Sequence, residues 1–225
     1  VFSFGLVNEP AGHANLKRTS IYLHIIKGIG IFRTDRNFKF QYLNNLTQSM
    51  AVIGPVVYYP YATKLLEIPE SFVGSLLILS AGLTLPMNFL WSYIGDKHGN
   101  RLLLLINTFV FTLSPILILL SGYLMWTPLA TVGWNTKLGL ITPVRICLIS
   151  AYVIFTMTNI GGMIGNMNYL LEIATEARRP SYIAFMNIML TPAAVSPLIG
   201  GVISENLSFQ TNFLLSLILS LVALY

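Results

Sequence analysis

The chain has 225 residues, of which 55% are hydrophobic and only 9% are charged, and its mean hydropathy is +0.71. A soluble domain carries about 25% charged residues, so this composition excludes a soluble globular protein and indicates an integral membrane protein. The formal net charge of +5 is expected to lie mostly in cytoplasmic loops and does not indicate nucleic-acid binding.

The sequence contains no pattern typical of metal, cofactor or catalytic chemistry. Its single cysteine, Cys147, lies in an apolar segment, which excludes a disulfide framework within the chain. No HExxH zinc motif and no Walker-type phosphate loop occurs, and the three histidines are scattered: His13, His24 and His98. A membrane-embedded enzyme would need a histidine cluster or paired carboxylates. We therefore predict that the protein is not an enzyme and holds no cofactor and no metal.

Long apolar runs dominate the chain. A membrane-spanning helix needs about 20 mostly apolar residues, and the predicted helices are 41–64, 72–94, 102–126, 144–171, 181–204 and 209–225. Strands of a membrane barrel would instead alternate over segments of about 10 residues. The sequence therefore predicts an all-α fold, a polytopic membrane helix bundle over residues 40–225.

Both ends of the chain lie within apolar runs. Residues 1–7 are predicted to be the end of a preceding transmembrane helix, and the helix that begins near residue 209 is still apolar at Tyr225. We therefore expect the chain to be part of a longer polypeptide, with its last helix truncated.

Residues 8–39 are predicted to form a linker. Its stretch LKRTSIYLHIIKGIGIFRTDRNFKF mixes apolar with basic residues, which is typical of a helix lying along a membrane surface. A linker without a helix is the alternative. Thr34 or Asp35 is placed to cap the helix that follows.

Positive charge is divided unequally between the two sides of the predicted bundle. Ten Lys and Arg residues fall on the side of the linker, and three fall on the other: Lys64, Lys137 and Arg145. Because cytoplasmic loops carry an excess of Lys and Arg, we predict that the linker 8–39 is cytoplasmic. The expected location is the cell (inner or plasma) membrane, crossed several times.

Glycine and proline interrupt several predicted spans. Pro55 follows Gly54 in the first span, and proline there frees carbonyls that must find other donors. Gly161 and Gly165 have the spacing that lets membrane helices approach closely. These features are typical both of helices that move against each other and of ordinary packing. Three tyrosines near the outer end of the first span indicate an interfacial aromatic belt or an outer gate: Tyr58, Tyr59 and Tyr61.

The turn WSYIGDKHGNRLLLLI, residues 91–106, concentrates charge between two apolar helices. Gly95 and Gly99 allow a sharp turn there. Written as S-x-x-x-D-K-x-G-N-R, the turn resembles the signature loop of the major facilitator superfamily, G-x-x-x-D-[RK]-x-G-[RK]-[RK]. Four residues match that pattern, namely Asp96, Lys97, Gly99 and Arg101, while Ser92 and Asn100 depart from it.

Two further stretches are similar to bacterial members of this family. KGIGIFRTDRNFKFQYL resembles their central linker and the entry to the seventh helix, and YLLEIATEARRPSYIAFMNIMLTPAAVSPLIGG resembles their tenth-to-eleventh helix connection. The family has two six-helix halves, and the second-half copy of the loop is usually the more degraded. The resemblance therefore implies the C-terminal six-helix half, with the N-terminal half of the same transporter as its partner.

The resemblance also implies roles for the loop residues. In the family, this loop locks the inner face closed, which implies gating roles for Asp96, Lys97, Gly99 and Arg101. Three charged residues near the inner ends of neighbouring helices would complete a charge network with them: Glu172, Arg178 and Arg179. Charges that only set the membrane topology are the alternative.

Transporters of this kind bind solute near the middle of the bilayer, between the two halves. Polar residues at that depth are therefore the substrate-binding candidates: Gln48, Asn45, Thr84, Asn88, Asn159 and Asn187. An amide in hydrocarbon is costly unless it is paired, so hydrogen bonding between helices is the alternative for each of them.

The resemblance implies a secondary active transporter that moves a small solute across the membrane by alternating access. Its expected partners are a small-molecule solute, the lipid bilayer and the N-terminal half, with no nucleic acid. All Asp and Glu residues lie at predicted helix ends or in loops, so this chain offers no candidate for proton coupling at mid-depth. A transport-inactive membrane scaffold or assembly subunit with the same fold is the alternative.

Overall fold

The computed structural model describes residues 21–136 and 139–224. Within them, four helical segments are long and apolar enough to cross a bilayer: Glu70–His98, Asn100–Leu124, Pro143–Ile173 and Glu176–Asn206. Phe209–Leu224 is also apolar but shorter. The predicted all-α membrane helix bundle is therefore confirmed. The predicted helix end at residues 1–7 and the first part of the linker, residues 8–20, lie outside the described residues.

The helices in chain order are α1 (Ile21–Thr34), α2 (Arg36–Ala51), α3 (Tyr58–Lys64), α4 (Glu70–His98), α5 (Asn100–Leu124), α6 (Pro143–Ile173), α7 (Arg179–Leu190), α8 (Ser196–Asn206) and α9 (Phe209–Leu224). α5 packs extensively against α6, and α9 packs against α2 and α5. Between α5 and α6, an antiparallel hairpin pairs β1 (Trp134–Thr136) with β2 (Gly139–Ile141). Strands of three residues leave no periodic signal, so the sequence did not predict them.

Two predicted spans are divided by short 3-10 turns. In the first, 41–64, α2 ends at Ala51 and a 3-10 turn, Pro55–Val57, precedes α3. Pro55 has no backbone N–H, so the carbonyl of Ala51 loses its helical donor. In the other, 181–204, the turn Thr191–Val195 separates α7 from α8. Proline is the first residue of one turn, Pro55, and the second residue of the other, Pro192. These prolines explain both interruptions.

The break between α2 and α3 frees further carbonyls, because Ile53 N and Val57 N each bond a carbonyl three residues back instead of four. Side chains from α8 and α9 replace the missing donors: Ser196 Oγ donates to Ser49 O (3.0 Å), Ser216 Oγ to Ala51 O (2.6 Å) and Asn212 Nδ2 to Ile53 O (3.0 Å). An unsatisfied carbonyl in hydrocarbon costs several kcal/mol, so these contacts hold the irregular segment inside the bundle.

The tyrosines of α3 separate into two environments. Tyr58 and Tyr61 are 1% and 0% exposed, and their hydroxyls hydrogen-bond Ser114 Oγ (2.8 Å) and Ser121 Oγ (3.1 Å) on α5. Tyr59 is 44% exposed. The prediction of an interfacial belt is therefore wrong for Tyr58 and Tyr61, which belong to the core between α3 and α5.

The close helix approach predicted from Gly161 and Gly165 is confirmed. A Cβ atom added to Gly161 would lie 2.5 Å from Asn107 Oδ1 and 2.6 Å from the Trp91 ring, and one on Gly165 would lie 2.5 Å from Leu103 Cδ2. The glycines of α6 thus leave space that side chains of α4 and α5 fill, which explains how these two helices pack tightly against one face of α6.

The junction between α1 and α2 is attached to α7. Asp35 caps α2 by accepting from Phe38 N (3.1 Å) and also accepts from Tyr182 Oη (2.7 Å), so the cap expected at Thr34 or Asp35 is formed by Asp35. In α1, Gly28 lies directly against the Phe185 ring, leaving no space for a Cβ atom. These contacts fix one end of α1 to the bundle.

Candidate functional site

A partly open cavity of about 310 Å³ lies among α2, α5 and α6. Its apolar wall includes Phe111 and Phe155, and its polar lining consists only of amides and hydroxyls: Asn45, Gln48, Ser49, Asn107, Thr158, Asn159 and Asn166. The volume falls at the lower end of the range for ligand pockets, about 300–1,000 Å³. A few polar groups converging in a cavity with aromatic walls are typical of a binding site for a small molecule.

The structure brings three of the six predicted substrate-binding residues into this cavity: Asn45, Gln48 and Asn159. Thr84 and Asn88 lie outside its lining on α4, where Thr84 Oγ1 bonds Ser80 O (3.2 Å) and Asn88 Nδ2 bonds Thr84 O (2.7 Å). Asn187 is exposed on α7 and also lies outside the lining. We therefore base the candidate site on the first three.

Gln48 is held in place by α5. Its Nε2 donates to Thr108 Oγ1 (2.6 Å), which also receives a longer bond from Asn44 Nδ2 (3.4 Å). Thr108 is 1% exposed, and its own hydroxyl donates to Leu104 O (2.8 Å). With the donor end of Gln48 bonded to α5, its side chain has a defined orientation at the cavity wall.

Sequence reasoning missed the contribution of α5 to this site. Asn107 is 2% exposed, lines the cavity and has an Oδ1 atom that is buried without a hydrogen-bond partner. It is the one amide within the apolar part of α5. An amide in an apolar span is costly unless it pairs or binds something, and this signal was enough to identify it. Phe111 follows four residues later, on the same helix face.

Replacing Thr108 with valine is expected to lower the free energy of unfolding by about 1–3 kcal/mol, because it leaves the partly buried amide of Gln48 without its acceptor. Asn44 Nδ2 keeps its bond to Ala223 O (2.8 Å). The matched control is Thr112→Val, one turn later, whose hydroxyl only bonds Thr108 O within α5 (3.0 Å). Thermal unfolding in detergent should show the larger loss for Thr108→Val. Equal losses in the two variants would contradict the role assigned to Thr108.

The predicted gating residues lie at the other polar feature, the turn between α4 and α5. Asp96, Lys97 and Arg101 are exposed, and Lys97 Nζ donates to Tyr93 Oη on its own helix (2.9 Å). Gly99 ends α4 with φ +87° and ψ 152°, a conformation that is essentially restricted to glycine. The turn therefore presents its charged side chains to the solvent-facing end of the bundle.

One of the three charged residues predicted to join this loop contacts it directly. Glu172 Oε2 accepts from Asn100 Nδ2 (3.1 Å). Arg179 instead lies 4.0 Å from Glu176 and donates to Leu171 O (3.3 Å), and Arg178 is exposed. In the part of the chain that the structure describes, Arg179–Glu176 is the only ion pair, so the contact between the loop and α6 runs through Asn100, a residue that departs from the family pattern.

Within residues 21–136 and 139–224, no three His, Cys, Asp or Glu side chains are grouped so that they could hold a metal ion.

Comparisons with known proteins agree with the fold and the motif. The family model of the Major Facilitator Superfamily matches residues 42–225, which is most of the chain and includes both the cavity and the α4–α5 turn. Neither the search of curated proteins nor the search of solved structures returned a match. The chain therefore belongs to the Major Facilitator Superfamily and is a multi-pass membrane protein of that transporter type.

Proposed function

We propose that this chain forms the C-terminal half of a secondary active transporter, which moves a small solute across the membrane by alternating access and is not an enzyme. Its partners are the N-terminal half, the lipid bilayer and the solute. Ten Lys and Arg residues on the side of the linker, against three on the other, support a cell membrane location with the linker in the cytoplasm.

The observation that carries this proposal is the cavity among α2, α5 and α6. Asn107 and Asn166 both line it, and each has a buried amide oxygen without a hydrogen-bond partner among the described residues. Such an oxygen costs about 1–3 kcal/mol, and turning the amide so that its oxygen meets a bound solute would remove this cost. A scaffold has no need for such a cavity.

Two other features support movement of the helices. The break between α2 and α3 follows the cavity directly, since Val52 lines the cavity and Pro55 begins the 3-10 turn. Bonds from side chains of α8 and α9, such as Ser216 Oγ to Ala51 O (2.6 Å), can be exchanged without unfolding a helix. We assign the α4–α5 turn to the inner gate, where Asp96 and Arg101 would meet the N-terminal half.

Transport is tested by reconstituting the intact protein in liposomes and measuring uptake of a solute panel with and without an imposed ion gradient. Gradient-driven uptake of at least one solute is expected. Gln48→Leu should reduce it by about tenfold or more, since one lost hydrogen bond to a solute costs about 1.4 kcal/mol or more. Gln210→Leu, at an exposed position on α9, is the matched control and should retain uptake.

Alternating access is tested by labelling with a membrane-impermeant thiol reagent. The single cysteine of this chain, Cys147, is buried, so a parent protein in which any cysteine of the N-terminal half has been replaced should react little. Asn45→Cys, in the cavity, should react with reagent added from either side, whereas Asn206→Cys, exposed at the end of α8, should react from one side only. One-sided labelling of Asn45→Cys, together with no uptake of any solute, would favour the inactive scaffold.

A further inference from the structure

We propose that the cavity selects an uncharged solute with several hydroxyl or amide groups, and that Asn107 is a ligand-contacting residue that determines this specificity. The proposal rests on the proposed function, because it names the class of solute that the transporter would carry. Three observations support it: the absence of charge in the lining, the unsatisfied amides and the aromatic wall.

The lining offers hydrogen bonds but no counter-charge. Its polar side chains are all amides or hydroxyls within the described residues. A charged solute would leave water without gaining an opposite charge from this half of the site, which costs several kcal/mol where the dielectric is low. A neutral hydroxyl or amide group loses only hydrogen bonds to water, and these amides replace them. The lining therefore favours neutral solutes over acids and amines of the same shape.

Asn107 is the least exposed of the cavity amides, and its bonding is incomplete. It is 2% exposed and its Oδ1 atom has no partner among the described residues. Its Nδ2 lies 3.4 Å from the position that a Cβ atom would take on Gly162, and Asn166 Nδ2 lies 3.9 Å from the same point. Two amides thus converge where glycine leaves space at the cavity wall. Rotating an amide by 180° exchanges its donor and acceptor, so each can bind a hydroxyl in either sense.

A second buried asparagine shows what a structural role requires. Asn212 is 0% exposed, and its Nδ2 donates to Ile53 O (3.0 Å), Gly200 O (3.2 Å) and Ser204 Oγ (2.9 Å). It joins three segments of the bundle and lies outside the cavity lining. Both asparagines have an Oδ1 atom that is buried without a partner, so they differ at Nδ2. Asn212 Nδ2 stabilises the fold, whereas Asn107 Nδ2 makes no hydrogen bond among the described residues and lies beside Gly162 at the cavity wall, where it can donate to a solute.

The aromatic wall suits the other side of such a solute. Phe111 lies one helical turn after Asn107 and lines the cavity together with Phe155. Aromatic faces pack well against C–H groups and offer no favourable interaction to a carboxylate. A carbon chain or ring with hydroxyl or amide groups along one edge and C–H groups along the other matches this arrangement.

The class of solute is tested with matched triplets, in which one carbon skeleton carries a hydroxyl, a carboxylate or an ammonium group at the same position. Sorbitol, gluconate and glucamine form one triplet, and acetamide-bearing compounds form others. Binding to the intact protein is measured by the ligand-induced rise in melting temperature. We expect a neutral member to bind at least about tenfold more tightly than its charged siblings. Preferred binding of a charged member, or no binding by any triplet, would overturn the proposal.

The role of Asn107 is tested with Asn107→Leu and its matched control, Asn212→Leu. Asn107→Leu removes a buried amide that makes no hydrogen bond among the described residues, so the melting temperature of the ligand-free protein should stay unchanged or rise. The apparent affinity for the neutral solute, obtained from the ligand-induced rise in melting temperature, should fall about tenfold. Asn212→Leu should lower the melting temperature of the ligand-free protein. A loss of ligand-free stability in Asn107→Leu, or unchanged binding, would show that Asn107 is structural.

Uptake measured on the same triplets separates this inference from the proposed function. Transport of a charged member in preference to its neutral sibling would overturn the solute class while leaving the transporter assignment intact. Binding of a neutral member without uptake of any solute would support the solute class and contradict transport. Each failure therefore has its own experimental result.

Discussion

Replacing Gly200 with alanine is expected to lower the free energy of unfolding by about 1–3 kcal/mol, because the added methyl group meets rigid backbone. A Cβ atom there would lie 2.5 Å from Ile53 O and 3.1 Å from Ile53 Cα. The backbone of the break between α2 and α3 cannot move away without disturbing the bond from Asn212 Nδ2 to Ile53 O. The Gly200→Ala variant should therefore force α8 away from the break.

Gly201 provides the matched control for this experiment. It follows Gly200 in the same helix, but a Cβ atom on it would meet nothing within 4 Å. Gly201→Ala should leave stability unchanged or raise it by up to about 1 kcal/mol, because alanine loses less backbone entropy in a helix. The comparison is made by thermal unfolding in detergent. Similar melting temperatures for the two variants would contradict close packing of α8 on the break.

Replacing Gly99 with alanine is expected to cost about 1–3 kcal/mol for a different reason. A Cβ atom at Gly99 would meet nothing within 4 Å, so space is not the limit. The cost arises from the backbone, which has φ +87° and ψ 152° at this residue, where a side chain clashes with its own main chain. The α4–α5 turn must then change its course, which moves Asn100 away from Glu172.

The Gly99→Ala prediction is checked by thermal unfolding and by uptake in the same preparation. Gly82→Ala is the control, since Gly82 lies within α4 and a Cβ atom there also meets nothing within 4 Å. Only Gly99→Ala should lower the melting temperature, and uptake should fall with it if the turn is the inner gate. Normal stability together with normal uptake would show that neither the turn conformation nor the Asn100–Glu172 contact matters.

The helix positions were predictable because they depend on local properties of the chain. A run such as 102–126 is apolar over its whole length, and that alone indicates a span. At Gly95–Arg101 charged residues and glycine replace the apolar residues of the flanking runs, which locates a turn. Proline at position 55 indicates an interruption of the first predicted helix. The consequences of the interruption were less predictable, because the replacement donors Ser196, Asn212 and Ser216 lie far away in the sequence.

The candidate site was predictable only in part. The expected depth of a residue in the bilayer, read from its position along a predicted helix, identified Asn45, Gln48 and Asn159. It identified Thr84 and Asn187 equally well, and these lie outside the cavity. Depth measures position along a helix and contains no information about which way a side chain faces. Asn107, the most buried amide of the cavity, was overlooked, although it is the one amide in the apolar part of α5.

The sequence by itself determined that this is a membrane helix bundle of the major facilitator type, because hydropathy, charge asymmetry and the loop motif are written into consecutive residues. Only the tertiary structure decided which residues meet, such as Asn107 with the cavity and Tyr58 with Ser114. The physical reason is the bilayer. Lipid is as apolar as the core of the bundle, so hydrophobic residues cover all sides of a helix and do not mark its buried face. That face is marked by small and polar residues, whose partners become known only when the neighbouring helices are in place.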